Sequence, residues 1–266
     1  MRQYTEKVKK GPVDRYDFDS LDEFIRVGGL ADLRINGSDR WRGASADTLR
    51  AWVAQRSCPP QVAIIDKYRN LFAPVLRDVN LGLGVAPTVI GVPCVPAVLA
   101  GHPLNMIGLT DVESAAPPRR IWVEVVASAS VDAESFSARA GAAIALCDLL
   151  SHLGPVEVRC VASTGTHQRG VVPTWPLMSN PLDLNYAALS THPAFVRGLE
   201  YEWAEARGAN GQWGLDLVGG SPKILGKSFE DGDVYLPAAT TEDTKAIEAD
   251  PVQWLRGKAA EAGVEI

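Results

Sequence analysis

The pattern of apolar and polar positions is clearest between residues 120 and 163. Ile121 to Val126 is a run of β-branched and aromatic residues, which predicts a buried strand. A helix is predicted next, with Asp132 as its N-cap and Gly154 at its end. Its apolar positions are Phe136, Ala140, Ala143, Ile144, Cys147 and Leu150. The segment VEVRCVAS predicts a second strand. Strand, helix, strand units are almost always right-handed with parallel strands, so we predict a three-layer, Rossmann-like α/β fold with a mostly parallel sheet.

The N-terminal half carries a weaker pattern of short helices. Residues 1–15 are polar, and we predict a flexible tail. Helices are predicted over residues 20–28, 46–55 and 61–76. Pro74 is expected to interrupt the last of them. The many glycines and prolines of residues 78–118 exclude long helices and favour short strands and turns. We therefore interpret residues 16–118 as a helical and Gly/Pro-rich accessory region, followed by an α/β domain over 119–266.

The C-terminal part adds further helices and a late strand. A short helix is predicted after Asp183, and a longer one with Thr191 as its cap and Pro193 in its first turn. The charged residues of the longer helix predict a solvated face, and they are Arg197, Glu200, Glu202, Glu205 and Arg207. DGDVYLPA predicts the strand, and Asp250 with Pro251 begins the last helix.

Composition and charge narrow the possible functions. The formal net charge of -6 argues against a nucleic-acid surface, because phosphate binding uses clustered Lys and Arg. The four cysteines are widely spaced and form no Cys-x-x-Cys pair, so neither a zinc framework nor a redox motif is indicated. Cys147 and Cys160 fall inside the predicted helix and strand, and we expect buried thiols there.

The strand end VVASAS brings a first resemblance to a known family. Together with the Ala-rich helix, the second strand and the closing strand with its DP..WL helix, it resembles the von Willebrand factor A fold over residues 120–266. In that family the strand ends in Asp-x-Ser-x-Ser, which holds a divalent cation with a Thr and an Asp from other loops. Here the serines fall on Ser128 and Ser130, and Val126 stands at the Asp position. The resemblance therefore implies a von Willebrand factor A-like scaffold with a degenerate metal site.

A narrower resemblance is to uncharacterised proteins of bacteriophages and prophages. They share the SAS strand end, a helix start similar to Arg139–Ala143, and a segment similar to Leu182–Arg197 with its His-Pro-Ala. This resemblance implies a phage or prophage origin. Because no apolar run reaches the roughly 18 residues of a membrane span, we expect no membrane contact and a cytoplasmic protein, in the host cell if a phage encodes it.

The candidate site residues follow from these expectations. Serines and acids at the carboxyl edge of a parallel sheet are well placed for ligands, and loop Trp and Arg are common interface anchors. The candidate binding residues are Ser128, Ser130, Asp132, Thr164, His192, Arg197, Trp41 and Arg42. For the serines, helix capping and loop hydrogen bonding is one interpretation. His192 is interpreted as part of a helix start or as a partner contact, and Trp41 as packing on the domain or as an interface anchor.

Two functions are consistent with these residues. The first is a non-enzymatic protein-binding or assembly protein that has no catalytic residue, metal or cofactor. The alternative is a site for Mg or Ca on Ser128, Ser130 and Asp132, with Thr164 or Thr166, which binds a ligand or hydrolyses a phosphate ester. A nucleophilic serine is disfavoured because none of the four histidines can be placed beside Ser128 from the sequence.

Overall fold

The chain falls into two compact units. The computed structural model describes residues 1–8, 11–27, 29, 35–78, 87–88, 92–93, 106–107, 119–127, 130–151, 156–165, 170–177, 183–209, 229–230 and 232–261. One unit combines Met1–Asp78 with Arg119–Ile266, and the other is Val79–Pro118. The helices that precede residue 79 therefore belong to the same unit as the predicted α/β domain.

The described residues form ten strands. They are β1 (Arg2–Val8), β2 (Gly11–Asp17), β3 (Pro87–Thr88), β4 (Val92–Pro93), β5 (Met106–Ile107), β6 (Arg119–Glu124), β7 (Val156–Val161), β8 (Thr164–Gly165), β9 (Gly170–Pro176) and β10 (Val234–Leu236). In the smaller unit, β3 and β4 pair antiparallel with β5. The other seven strands form one sheet in the order β1-β2-β9-β7-β6-β10, with β8 paired to β9.

The large sheet is mixed, which corrects the expectation of a mostly parallel one. β6 is parallel to β7 and β10, and β9 is parallel to β2. β9 runs antiparallel to β7 and β8, and β1 runs antiparallel to β2. The reason lies in the connection between β7 and β9. It spans only residues 162–169, whereas a parallel return needs a crossover of a dozen or more residues. The chain is thus a mixed α/β protein.

Ten α-helices are described. They are α1 (Leu21–Val27), α2 (Asp39–Arg42), α3 (Ala46–Gln55), α4 (Pro59–Asp78), α5 (Ala133–Ser151), α6 (Leu184–Thr191), α7 (Pro193–Phe195), α8 (Tyr201–Glu205), α9 (Thr241–Ala249) and α10 (Pro251–Glu261). A π-helical segment, Val196–Glu200, joins α7 to α8 without a break, and we call the whole element the α7–α8 helix. None of the described helices is long and apolar enough to cross a membrane.

The predicted strand, helix, strand unit is confirmed as β6-α5-β7. β6 and β7 are parallel in a register that joins Ile121 to Val158. The Asp132 carboxylate accepts the Ser135 backbone N–H at 2.8 Å, so the predicted N-cap is confirmed as well. α5 is buried on most of its sides, because its Ala and Gly residues allow neighbouring elements to approach closely.

Two helix predictions need correction. α4 continues through Pro74 instead of being interrupted there. Pro74 and Asn70 are both exposed, so water can hydrate the Asn70 carbonyl that the proline leaves unbonded. At the start of the α7–α8 helix the cap is His192 and not Thr191, because the Thr191 hydroxyl donates back to the Ala187 carbonyl of α6 at 2.6 Å.

Residues 1–15, predicted as a flexible tail, contain β1 and most of β2. β2 enters the sheet beside β9 and buries Val13 on one face and Tyr16 on the other. Two polar side chains of β1 bond across the hairpin, since Thr5 Oγ1 donates to Asp14 Oδ1 at 2.7 Å and Gln3 Nε2 donates to Tyr16 OH at 3.1 Å. Polarity alone was therefore a poor indicator of disorder in this segment.

The main core lies on one face of the sheet. All the longer described helices contribute to it, and it encloses the aromatic side chains Phe18, Phe24, Trp175 and Trp203. On the other face a smaller cluster joins Val13, Trp122, Val161 and Val172, each at most 3% exposed. In the described part of the chain this second cluster draws on strands and on Phe229, with no helix residue in it.

Candidate functional site

Four of the predicted binding residues meet at one buried place, which we call the Arg197 junction: Trp41, Arg42, His192 and Arg197. Arg197 Nη1 donates to the Trp41 carbonyl at 2.7 Å, and its guanidinium lies 4.9 Å from the centre of the Trp41 ring. Arg42 packs beside Gly198, and His192 packs beside Gly43. The sequence thus named residues that do come together, although they lie about 150 positions apart.

Arg197 links three elements. Its side chain is 1% exposed, and Nη2 donates to the Val131 carbonyl at 2.6 Å, just before α5. Its guanidinium also lies 5.1 Å from the Phe136 ring. Burial lowers the pKa of Arg197, and the charges of Tyr201 and Asp132 act in the opposite direction. Backbone oxygens and aromatic rings surround this cation, so its geometry suits a structural tie better than an open anion site.

Arg42 organises the loop before α2. It is 3% exposed, its Nη1 donates to the carbonyls of Asn36 and Gly37, and its Nη2 donates to Asp39 Oδ1. Trp41 is half-buried against Tyr201, with ring centres 6.2 Å apart. Trp41 and Arg42 of the WRGAS segment therefore both pack on the protein. Of these two side chains, only part of Trp41 is exposed to solvent.

His192 acts as a capping residue. Its Nδ1 accepts the Ala194 backbone N–H at 3.0 Å, and Trp52 stands edge-on to its ring at 5.0 Å between centres. Burial lowers the pKa of His192 to about 4, so the ring is neutral near pH 7. A neutral ring is what the cap needs, because only the neutral form leaves Nδ1 free to accept.

The loop after β6 contains the predicted serine pair. Ser128 lies outside the described residues, and Ser130 is exposed. Hydrogen bonds from the backbone and the hydroxyl of Ser135 lower the pKa of Asp132 against a smaller opposing effect of burial. Asp132 is thus occupied as a helix cap. In the part of the chain that is described, no three His, Cys, Asp or Glu side chains are grouped as a metal would require.

Thr164 leads to a buried acid that the sequence did not single out. Its hydroxyl donates to Glu200 Oε1 at 3.2 Å, while Glu200 Oε2 is buried with no hydrogen-bond partner. Burial raises the pKa of Glu200 to about 8, and the bond from Thr164 opposes this only in part. The predicted solvated face is therefore wrong at Arg197 and Glu200, because apolar residues on all sides of this helix bury both of them: Val196, Leu199, Tyr201 and Trp203.

The π-helical segment explains how Glu200 reaches the sheet. The Tyr201 N–H bonds to the Val196 carbonyl five residues back, which adds one residue to the turn and rotates the residues that follow. Tyr201 is fully buried, and its hydroxyl lies 3.5 Å from the carbonyl of Ala127, three residues past the end of β6. Segments of this kind occur frequently at functional sites.

A second buried acid, Glu124, lies at the carboxyl end of β6. It is 2% exposed and accepts hydrogen bonds from Tyr235 OH at 2.8 Å, from the Ala238 N–H at 3.1 Å and from Ser163 Oγ. Ser163 and Thr164 are neighbours in the chain, and each donates a hydrogen bond to a different buried acid, Ser163 to Glu124 and Thr164 to Glu200. The sequence signal for this site was Glu124 itself, the single acid within the apolar run IWVEVV. It lies two positions before Val126, the residue at the Asp position of the family motif.

A groove opens where the loop before α5 meets two other helices, and we call it the α4–α5–α9 groove. Its volume is about 540 Å³, and its lining residues are Lys67, Tyr68, Leu71, Asp132, Glu134, Ser135, Ala138, Ile247, Glu248 and Pro251. Leu71 is 38% exposed. The Ser135 hydroxyl lies 3.0 Å from Asp132 Oδ2 and 3.2 Å from Glu248 Oε1, so it can donate to either acid. Of the predicted residues, only Asp132 lines this groove.

The cysteines take no part in these sites as far as they are described. Cys58, Cys147 and Cys160 are free and buried, which confirms the expectation for the last two. Burial raises the pKa of the Cys147 thiol to about 12, so it stays protonated and unreactive near neutral pH. His102, His152, His167, Thr166 and Cys94 lie outside the described residues.

A family model described as Domain of unknown function (DUF7192) matches residues 5–258. No curated protein and no solved structure matches the chain.

Proposed function

We propose that this chain, which belongs to the DUF7192 family, is a non-enzymatic protein-binding protein whose α4–α5–α9 groove receives a positively charged segment of a partner. The observation that carries the proposal is the composition of the groove. Three acidic residues, Asp132, Glu134 and Glu248, share it with a single cation, Lys67. Opposite charges across an interface steer association and select the partner.

The apolar residues of the groove favour a protein segment over a small polar ligand. Leu71 is exposed in the groove, and Ala138, Ile247 and Pro251 also line it. A helical or extended segment that alternates basic and apolar residues can bury its apolar side chains against Leu71 and keep its charges near the acids. Interfaces typically combine apolar side chains with charged and polar ones, as this groove does.

The buried acids support a binding role over a catalytic one. Glu124 has its carboxylate bonded by a serine, a tyrosine and a backbone N–H, and Glu200 is fully buried. Neither is exposed to a substrate, and the carboxylate of Asp132 caps α5. The alternative Mg or Ca site has no further support from the described residues.

We also propose a scaffold and an origin. The parallel strands β10, β6 and β7 with α5 support a von Willebrand factor A-like, Rossmann-like relationship for this half of the sheet. The antiparallel β9 sets the other half apart from that family. The segments at Arg139–Ala143 and Leu182–Arg197 support a phage or prophage origin, with a role in assembly inside the host cell.

Peptide binding tests the groove. A labelled amphipathic peptide with leucines on one face and lysines on the other is titrated with the protein, and fluorescence anisotropy gives its affinity. We expect binding of the lysine peptide and none of a counterpart with glutamates. Glu134→Gln and Glu248→Gln should each weaken binding about threefold, which corresponds to a single exposed charge interaction.

The matched control is Asp47→Asn. Asp47, like Glu134, is an exposed acid in the first turn of a helix, so the two variants lose the same charge and the same helix-dipole contribution. It should leave affinity unchanged. Equal weakening by Asp47→Asn would show general charge attraction, and failure of the lysine peptide to bind would contradict the proposal outright.

A further inference from the structure

β1 is an outer strand with an unusually regular edge. In the described residues it pairs with β2 alone, and it stands first in the strand order. Its pairing runs without a bulge from Arg2–Asp17 to Val8–Gly11. Residues 1–5 are all exposed, including 37% of Tyr4. Outer strands are usually protected by short length, charged side chains, a proline or a bulge; β1 is charged but has no proline and no bulge.

The hairpin fixes which backbone groups point outward. Two residues separate β1 from β2, so the flanking pair Val8–Gly11 exchanges both of its hydrogen bonds. Alternate residues of an antiparallel strand bond to the same neighbour. Arg2, Tyr4 and Glu6 therefore bond to β2, whereas the N–H and C=O groups of Gln3 and Thr5 point away from the sheet.

We propose that β1 pairs antiparallel with β1 of a second copy of this chain, with Tyr4 on the two-fold axis. In this register Gln3 lies opposite Thr5 of the other copy, and the outward backbone groups of these two residues satisfy each other. Arg2 lies opposite Glu6, so two pairs of opposite charge flank the axis. A closed two-fold dimer joins the two sheets into one.

The charges of β1 favour this register and a second copy as the partner, because Arg2 of each copy lies opposite Glu6 of the other. Moving the axis by one residue, to Thr5, places Arg2 opposite Val8 and Tyr4 opposite Glu6, and the charge pairs are lost. Arg2 is free to change partner, because its ion pair with Asp19 is long, 3.8 Å, and both side chains are more than 70% exposed. The ring of Tyr4 is supported from its own chain by Arg15, at 4.7 Å.

The proposed dimer is a weak one. In this register the five residues Arg2–Glu6 pair, and at about 3.4 Å each they give a contact about 17 Å long, well short of a standard protein interface. We therefore expect self-association that depends on concentration. This pairing is independent of the α4–α5–α9 groove, so its failure would leave the proposed function untouched.

Cysteine cross-linking tests the register. On the axis, the two Tyr4 positions form a pair without mutual hydrogen bonds, whose Cα atoms lie about 4.5 Å apart, within the range of a disulfide. Mild oxidation of Tyr4→Cys should give a covalent dimer in non-reducing electrophoresis, and the matched control Thr5→Cys should not. A dimer from Thr5→Cys but not from Tyr4→Cys, or from neither, would overturn the proposal.

A charge exchange gives a second readout that does not depend on oxidation. Sedimentation velocity should show weaker self-association for Arg2→Glu and for Glu6→Arg, and recovery in the double variant. Recovery would exclude a folding defect as the cause of the loss. A wild-type chain that stays monomeric at high concentration, or a double variant that is weaker than both single variants, would refute the pairing.

Discussion

Replacing Glu200 by glutamine should stabilise the protein and remove part of its pH dependence. Burial raises the pKa of Glu200 from 4.5 to about 8, so the folded state holds a proton at neutral pH that the unfolded chain releases. Glutamine has the same shape and cannot ionise. Its Oε1 can still accept the hydroxyl of Thr164, which is 3.2 Å away in the native protein.

The magnitude follows from proton linkage. Below about pH 4.5 Glu200 is protonated in both the folded and the unfolded chain, so its ionisation does not lower the free energy of unfolding. As the pH rises from 4.5 to about 8, only the unfolded chain loses the proton, so stability falls by about 1.4 kcal/mol per pH unit. At pH 7 the cost reaches about 3 kcal/mol, and it levels off above pH 8 at about 5 kcal/mol.

Urea unfolding followed by tryptophan fluorescence measures the effect. Trp175 and Trp203 are fully buried, so their emission reports the loss of the core. We expect the stability gain of Glu200→Gln over wild type to be below about 1 kcal/mol near pH 5 and to increase towards pH 8. Glu205→Gln, which removes a half-exposed charge from the same helix, is the matched control.

A constant difference between wild type and Glu200→Gln across this pH range would refute the reasoning. It would mean that Glu200 ionises equally easily in the folded and unfolded chain. Lower stability of the variant at every pH would do the same, because it would show that the native carboxylate stabilises the fold.

Three further predictions concern the α7–α8 helix and α10. Because burial lowers the pKa of His192 from 6.5 to about 4, stability should fall as the pH drops below 6.5 and level off below about pH 4, and acid unfolding of His192→Asn should lack this component. Gly198→Ala should destabilise the protein by about 1–3 kcal/mol, since its Cβ would lie 2.8 Å from Leu49 Cδ2 and 3.1 Å from Arg42 Cδ. Gly257→Ala, in α10 with open space around it, should instead stabilise by about 0.5–1 kcal/mol, and thermal unfolding measures both glycine variants.

Local sequence signals predicted the parts of the fold whose causes are local. Asp132 before an Ala-rich apolar run identified α5, and Asp250 followed by Pro251 identified α10. α9 was overlooked, although its signal was present. Thr240 with Asp243 three residues later is a capping pattern, and the Thr240 hydroxyl does accept the Asp243 N–H at 3.1 Å.

The features that were missed depend on contacts between distant segments. Arg197 and Glu200 resemble any charged pair on an exposed helix, and only the packing of the α7–α8 helix against the sheet buries them. The π-helical segment adds one residue to a turn, which apolar periodicity cannot register. For the groove, Glu134 and Glu248 lie more than a hundred residues apart, and α9 had to be placed before they could be brought together.

The parallel pairing of β2 with β9 also constrains how the chain folds. Val13 of β2 pairs with Gly170 of β9, so the first hairpin leaves the ribosome long before the strand it joins has been made. Until then Val13 and Tyr16 have no core to enter. Closing a loop of this length is slow, and the incomplete edge of β2 is open to wrong partners during the delay. Docking of the first hairpin onto the sheet should therefore be a late step in folding, because it has to wait for the synthesis of β9.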